Sequence, residues 1–208
     1  VQIFNSLIAN LLSERVNLEK NNYNLVVKTD NYEALIQGLN PEDFPIIPRL
    51  NNLETSLKIN AELFCEALSK VIIAAQCSEI RPEISGVLFN YQIDNLKLAA
   101  TDSFRLAEKN IPANQFKSTF NESFKIIIPL RAAQEVLRII KGNEGLEIFV
   151  DPNQILFKMP EVELISRLID VQYPDYESII PTKIATEVLV KLNELMAALK
   201  LAGVFTSR

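Results

Sequence analysis

The stretch LRAAQEVLRIIKGNEGLEIFVDPNQILFKMPEVELISRLIDVQYPDY (130–176) decides the fold. Leu130, Ala133, Val136, Leu137 and Ile140 recur at spacings of three and four, which is one apolar stripe of a helix over about 130–141. Leu146, Ile148 and Val150 then alternate with other residues, as a strand with one buried face requires. Asp151-Pro152-Asn153 is turn chemistry and leads into a strand at 154–158. A last strand over about 162–170 stops before Tyr173-Pro174, because proline cannot donate to a sheet ladder.

The same grammar occurs earlier in the chain. FNSLIANLL (4–12) reads as a helix, NLVVKTDNYEALIQGL (24–39) as two strands about a polar turn, and DFP (43–45) as an aromatic–proline stop. Leu25 and Ile155 lie 130 positions apart, Leu35 and Leu164 129, and Pro45 and Pro174 129. A further pair recurs: SLKINAELFCEAL (56–68) resembles VLVKLNELMAAL (188–199), with Glu62-Leu63 and Glu194-Leu195 offset by 132. Several matches in one order at nearly one offset indicate an internal duplication, and a period of this size is a whole domain. The chain therefore divides into the tail of one copy (1–50), a complete copy (53–182) and the start of a third (183–208). Its first residues already read as helix interior, so it is expected to begin inside a domain.

Within the complete copy, residues 55–59 read as a strand. Asn60 reads as the N-cap of a helix to about Ala75, with Phe64, Ala67, Leu68, Val71 and Ile72 on one face. Strands at 86–92 and 95–101 join through a tight turn at Ile93-Asp94, and 124–129 is a further strand. Strand, helix and strands follow one another twice, so each copy is a pair of βαβββ-like halves. The fold class is α+β, with two helices on one face of a largely antiparallel sheet.

Composition narrows the function. No apolar run among the 208 residues approaches the ~18–20 needed to span a bilayer, and no secretory signal opens the chain. Two cysteines, Cys65 and Cys77, without CxxC spacing read as reduced core thiols of a cytoplasmic protein. The absence of histidine removes histidine-based triads, His-ligated metals and histidine acid–base chemistry. Gly-rich phosphate cradles are absent too, so neither catalysis nor a cofactor or metal is expected. Asp102, Asp170 and Asp175 could in principle hold magnesium for a hydrolase, but each sits in or beside a turn, where capping explains it more simply. A net charge of −5 excludes a globally basic nucleic-acid binder, so any DNA contact must use a local basic face or enclose the duplex.

Three segments resemble the bacterial DNA polymerase III beta subunit, the sliding-clamp family: SGVLFNYQIDNLKLAATDSFRLA (85–107), FKIIIPLRAAQEVL (124–137) and SRLIDVQYPDYESIIP (166–181). The A-T-D-x-x-R-L-A strand and the R-L-I-D-x-x-Y-P-D-Y segment are together specific to that family. The resemblance implies the DNA-clamp fold, in a non-enzymatic head-to-tail homodimeric ring of six similar domains with helices lining the hole. It implies a processivity factor of DNA replication that encircles double-stranded DNA without reading sequence. It also implies a pocket that takes short linear peptides of the DNA polymerase III alpha subunit, the clamp loader and repair proteins. Residue by residue, that pocket carries over to Arg81, Ile84, Thr101, Ser103, Phe104, Arg105, Leu106, Pro174, Ser178 and Ile179. Leu106, Ile84, Ile179 and Pro174 would form an apolar floor, and Thr101 and Arg105 would orient the peptide from the rim. Ser103 stands where some members have glycine, Phe104 where histidine is common, and Ser178 where some have arginine.

The DNA-facing candidates implied by the resemblance are Lys70, Arg81, Arg131, Arg138, Lys141 and Lys200. Among acidic neighbours such as Glu62, Glu66, Glu79, Glu83 and Glu135, the same charges also read as an ordinary solvated helix face. For Arg105 the plain alternative is a structural ion pair with Asp102, and for Leu106, Ile84 and Ile179 it is core packing. The alternative function is a duplicated α+β peptide-binding scaffold without DNA encirclement.

Overall fold

The computed structural model describes residues 2–12, 15–44, 49–50 and 53–206. Pro45, the first of the two aromatic–proline stops, lies outside the described residues. The chain separates into two compact units, Val1–Arg49 and Leu50–Arg208.

The first unit is a helix followed by a three-stranded antiparallel meander. α1 (Gln2–Asn10) precedes β1 (Asn17–Asn21), β2 (Asn24–Lys28) and β3 (Glu33–Ile36), in the sheet order β1-β2-β3. α1 ends at Asn10, short of the expected 12, where the Asn10 side-chain Nδ2 donates back to the Ser6 carbonyl at 2.7 Å. β1 had no signal in the sequence, because NLEKN has no apolar alternation and every residue is exposed. It is a strand through its backbone pairing with β2, whose Val26 and Val27 are buried.

The second unit follows the doubled plan. Its first half is β4 (Leu57–Asn60), α2 (Ala61–Ile72), β5 (Gly86–Gln92), β6 (Asn95–Thr101) and β7 (Leu106–Pro112). After a short β8 (Phe116–Ser118), the second half is β9 (Phe124–Pro129), α3 (Leu130–Ile139), β10 (Gly145–Asp151), β11 (Gln154–Met159) and β12 (Val162–Arg167). The sheet is not one but two, ordered β12-β11-β10-β4-β8 and β7-β6-β5-β9, with antiparallel pairing throughout. Each half lends its first strand to the other half's sheet: β4 pairs with β10, and β9 with β5. The exchange locks the halves together, since neither three-stranded meander completes its edge without the other half. Both inner faces close on one core that holds Phe64, Leu68 and Val71 of α2, Ala133 and Val136 of α3, and Leu57, Phe89, Leu98, Ile128, Ile148 and Phe157 of the strands. Gly86 lets β5 lie close against β9, because a Cβ there would sit 2.3 Å from the Ile128 carbonyl.

Boundaries moved where hydrogen-bond partners ran out. Asn60 caps α2 as expected, its side chain accepting from the Leu63 amide at 3.1 Å. α2 stops at Ile72 because the amides of Ala74 and Ala75 bond three residues back, to Val71 and Ile72, and tighten the exit turn. α3 stops at Ile139. Ile140 is already extended, yet still buried, and Gly142 takes a φ of +94° that favours glycine. β12 ends at Arg167, opposite the first residue of β11, and Ile169 then bonds to Ile127 in the other sheet. Of the two thiols, Cys65 is half-buried and burial pushes it up, whereas Cys77 is exposed and so is not a core residue.

The spacing near 130 recurs in the elements. β2 and β11 open 130 positions apart, at Asn24 and Gln154, and β3 and β12 open 129 apart, at Glu33 and Val162. α4 (Leu192–Gly203) opens 131 positions after α2 and has the same length. Residues 188–190, which precede it as β4 precedes α2, form no strand, and residues 177–206 are exposed. Among the described residues no helix is long and apolar enough to cross a membrane.

Candidate functional site

The pocket candidates gather first on the hairpin between β6 and β7, whose last pair is Thr101 with Leu106. Four residues make the turn, and their own polar groups fix it. One Asp102 oxygen accepts from the amides of Phe104 and Arg105 at 3.0 and 2.8 Å. The other accepts from the Arg105 guanidinium, through Nε at 3.0 Å and Nη2 at 2.8 Å. The Arg105 guanidinium and these amides hold the Asp102 carboxyl well below the usual range, at about 2. The Thr101 hydroxyl donates to the Arg105 carbonyl at 2.7 Å and accepts from the Ser103 amide at 3.1 Å. Ser103 adopts a φ of +76°, the left-handed region, which accounts for glycine being the easier residue at that position.

Arg81 ties a second element to this hairpin. Its Nη1 donates to the Ser103 hydroxyl at 2.6 Å, and its Nε donates to Glu83 at 3.0 Å. The short 3-10 turn Pro82–Ile84 is thereby held beside residues 101–106, with Ile84 buried. Ile84 therefore backs the site from inside and offers little open floor. Phe104 is the opposite, 95% exposed at the hairpin tip.

The third contribution is a strap, residues 168–177, that crosses the outer face of the four-stranded sheet. Period-2 alternation puts Leu88, Lys97, Ala99, Thr101, Leu106, Glu108, Lys125 and Ile127 on that face, and the strap lays Ile169, Tyr173 and Tyr176 over it. Leu88, Ala99, Ile127, Tyr173 and Tyr176 form one apolar cluster, with Leu106 and Ile169 packed against it. The Tyr176 hydroxyl donates to Glu108 at 2.5 Å, and Lys97 pairs with Glu177 at 2.9 Å. Burial, and then the Glu108 carboxylate, drive the Tyr176 phenol far above its ordinary value. Burial pushes Tyr173 up to about 12, and among the described residues its hydroxyl meets no partner in hydrogen-bond geometry.

Pro174 sits half-buried on the strap between the two tyrosines, one turn before Ser178 and Ile179. The Ile179 amide bonds to the Tyr176 carbonyl at 3.3 Å, and the side chain is 69% exposed. Thr101, Ser103, Phe104, Arg105 and Leu106 thus share one hairpin, with Arg81 joined to it and Ile84 in the adjoining turn. Leu106 packs with Tyr173 and Tyr176 of the strap, while Pro174 lies with Leu88 and Ile127. Among the described residues no hydrogen bond or ion pair joins Ser178 or Ile179 to the hairpin. Those two tyrosines, Glu108 and Lys97 were not read from the sequence as part of this arrangement. The alternation of Leu106 and Glu108 along β7 was the available signal. Arg105 does make its ion pair with Asp102, while its side chain stays 64% exposed. Among the described residues no group of three or more Cys, Asp or Glu is gathered as a metal site, and Asp102 is fully engaged in its turn.

The basic candidates lie on mixed-charge surfaces. Lys70 pairs with Glu66 on α2, Arg138 with Glu135 at 2.7 Å on α3, and Arg81 with Glu83. Lys70 and Arg138 also occupy the last turns of their helices, where a cation is favoured by the helix dipole. Among the described residues Arg131, Lys141 and Lys200 form no ion pair, and all three are exposed. Lys141 stands at the edge of a groove of about 650 Å3 between α2 and α3, together with Glu62 and Glu66.

The family model for the DNA polymerase III beta subunit, central domain, matches residues 58–175. The beta sliding clamp of Bacillus subtilis (strain 168) is 28% identical over 208 aligned positions, covering 97% of this chain and 53% of that protein. The beta sliding clamp of Staphylococcus aureus (strain N315) is also 28% identical, over 204 positions, with the same coverage. The crystal structure of the Bacillus subtilis DNA polymerase sliding clamp covers all of this chain at a TM-score of 0.83 and 27% identity, and this chain covers 54% of it. A Helicobacter pylori beta clamp bound to a DNA ligase peptide has the same fold, with a TM-score of 0.83 at 22% identity over 99% of this chain and 57% of that one. The chain thus spans about half the length of the relatives it matches.

Proposed function

The chain belongs to the DNA polymerase III beta subunit family, and from that premise we propose that it is part of a sliding clamp, a non-catalytic processivity factor of cytoplasmic DNA replication. Residues 1–50 close a first clamp domain, 53–182 make the second, and 183–208 open a third. The observation that carries this reading is that the central-domain match, 58–175, spans nearly all of the doubled unit, from β4 to the strap. α2 and α3 face double-stranded DNA inside a homodimeric ring. Arg131 and Lys141 make loose phosphate contacts there, Lys200 does so from the third domain, and Lys70, Arg81 and Arg138 are muted by their glutamate partners. Contacts of that kind carry no sequence information and let a ring slide.

Partners dock by short apolar peptides at the β6–β7 hairpin. Arg81, Thr101, Ser103, Phe104, Arg105 and Leu106 line one side, and Pro174, Ser178 and Ile179 line the other, with Ile84 behind. The exposure of Phe104 and Ile179 and the packing of half-buried Leu106 against the strap tyrosines support this assignment, as does the peptide named in the Helicobacter pylori structure. The DNA polymerase III alpha subunit, the clamp loader and repair proteins are the expected partners.

Retention on DNA tests the ring. The full-length gene product, loaded on closed circular duplex, stays bound at high salt and is lost once the circle is cut. Equal retention on cut and closed DNA would leave a peptide-binding scaffold instead. For the pocket, Leu106→Asp weakens a partner peptide by about tenfold or more, equivalent to ~1.4 kcal/mol, while the fold survives on its other core.

A further inference from the structure

One register row runs straight across the outer face of the four-stranded sheet. Glu108 of β7 lies opposite Ala99 of β6, Ala99 opposite Leu88 of β5, and Leu88 opposite Ile127 of β9. Leu106 opposite Thr101 belongs to the next row on that face toward the turn, and Lys97 opposite Asn110 to the next row away from it. Successive rows on one face stand about 6–7 Å apart. Tyr173 and Tyr176 cluster with Ala99, Leu88 and Ile127 of the middle row, and Leu106 packs against the same cluster. The Tyr176 hydroxyl reaches the end of that row and donates to Glu108 at 2.5 Å, while Glu177 ties the strap to Lys97 at 2.9 Å. Tyr176 is only 5% exposed, so its phenol would carry a desolvation cost if left unpaired, and a bond to an ionised carboxylate is of the stronger kind. Tyr173 makes no such bond among the described residues, which leaves the one to Glu108 as the polar anchor of the tyrosine pair. Glu108 is itself exposed, so it contributes nothing to the core by packing.

We propose that Glu108 is a positioning residue of the peptide surface: by binding Tyr176 it seats the strap tyrosines against Leu106 and so fixes the apolar floor that a partner peptide meets. The inference rests on the reading of Leu106 as part of that surface. Glu108 acts through Tyr176 and not by touching the peptide. A strap that is seated for only part of the time offers the floor for only part of the time, and apparent affinity falls by that fraction.

The test titrates a short synthetic peptide carrying leucine and phenylalanine into the full-length gene product and follows the methyl resonances of Leu106. These methyls lie against the tyrosine cluster, so their shifts in the free protein report whether the rings are seated. Glu108→Ala and Tyr176→Phe each move the free-state Leu106 shifts and weaken the peptide by about three- to tenfold, the range that one net hydrogen bond allows. Glu108→Gln keeps an oxygen that accepts from Tyr176, and it holds the affinity within about twofold of the parent. The double variant Glu108→Ala/Tyr176→Phe is no weaker than either single one, because both remove the same bond. The proposal is overturned if Glu108→Ala leaves the Leu106 shifts and the affinity unchanged, if glutamine fails to restore them, or if the two losses add in the double variant. A parent that binds no peptide would overturn the peptide reading and this role with it. A parent and a Glu108→Ala variant that bind equally well would overturn the role alone.

Discussion

α2 and α4 have similar patterns and equal lengths, and the molecule treats them differently. Both run for twelve residues, and both carry a glutamate in the first turn and a lysine in the last. Yet α2 buries Ala61, Phe64, Ala67, Leu68 and Val71, whereas no residue of α4 is buried. The residues before α2 form β4 because β10 and β8 flank them with backbone donors and acceptors. Residues 188–190 have a similar apolar pattern and no such neighbours among the described residues, and they form no strand. An amphipathic pattern specifies a face, and burial of that face depends on partners elsewhere in the chain. The Thr101–Arg105 turn is the third case, since most of its bonds join adjacent residues and only the Arg81–Ser103 bond reaches it from another element.

The contrast can be broken most forcefully at Phe64, which is fully buried against Phe89 and Phe157. Phe64→Ala should cost about 3–5 kcal/mol in denaturant unfolding. A loss under 1 kcal/mol would mean that α2 is as loosely held as α4. Removing the cap of α2 by Asn60→Ala should cost about 1 kcal/mol, and placing the missing cap on α4 by Lys191→Asn should raise its helicity slightly. If neither change registers, the two helices do not differ in their starts.

Acid separates local order from distant order. The folded Asp102 carboxyl titrates at about 2 against an ordinary 3.8, so its contribution is complete above the ordinary value and fades as the pH falls through 2. Asp102→Asn should therefore lower the melting temperature at pH 7 modestly, with the gap from the parent closing as the pH approaches 2. A gap constant with pH would show that the ion pair with Arg105 adds nothing to the turn. The smallest effect belongs to α4. Leu199→Ala should change stability by less than ~0.5 kcal/mol, because the side chain is already 59% exposed. A larger loss would show that α4 has a buried face after all.

Legibility followed the same line. Asn60, the Ile93-Asp94 turn and the stripe Ala133, Val136 and Ile140 were readable because each signal lies within a few residues. β1, β7 and β8 were not read, since polar strands such as NLEKN acquire their identity only from a neighbour's hydrogen bonds. At the site, the hairpin residues were legible through a family resemblance. The tyrosine strap and the Arg81–Ser103 bond were hidden, because each joins residues that are distant in sequence.

By itself the sequence determined the doubled α+β plan, the period near 130 and the turn chemistry around Asp102, all of which arise from spacing and local propensity. Only the tertiary structure decided that the sheet splits in two with exchanged first strands, and that Tyr173 and Tyr176 cap one outer face. It also decided which lysines and arginines are already paired. These depend on burial and on hydrogen bonds between distant residues, whose energies exist only once the chain has closed on itself.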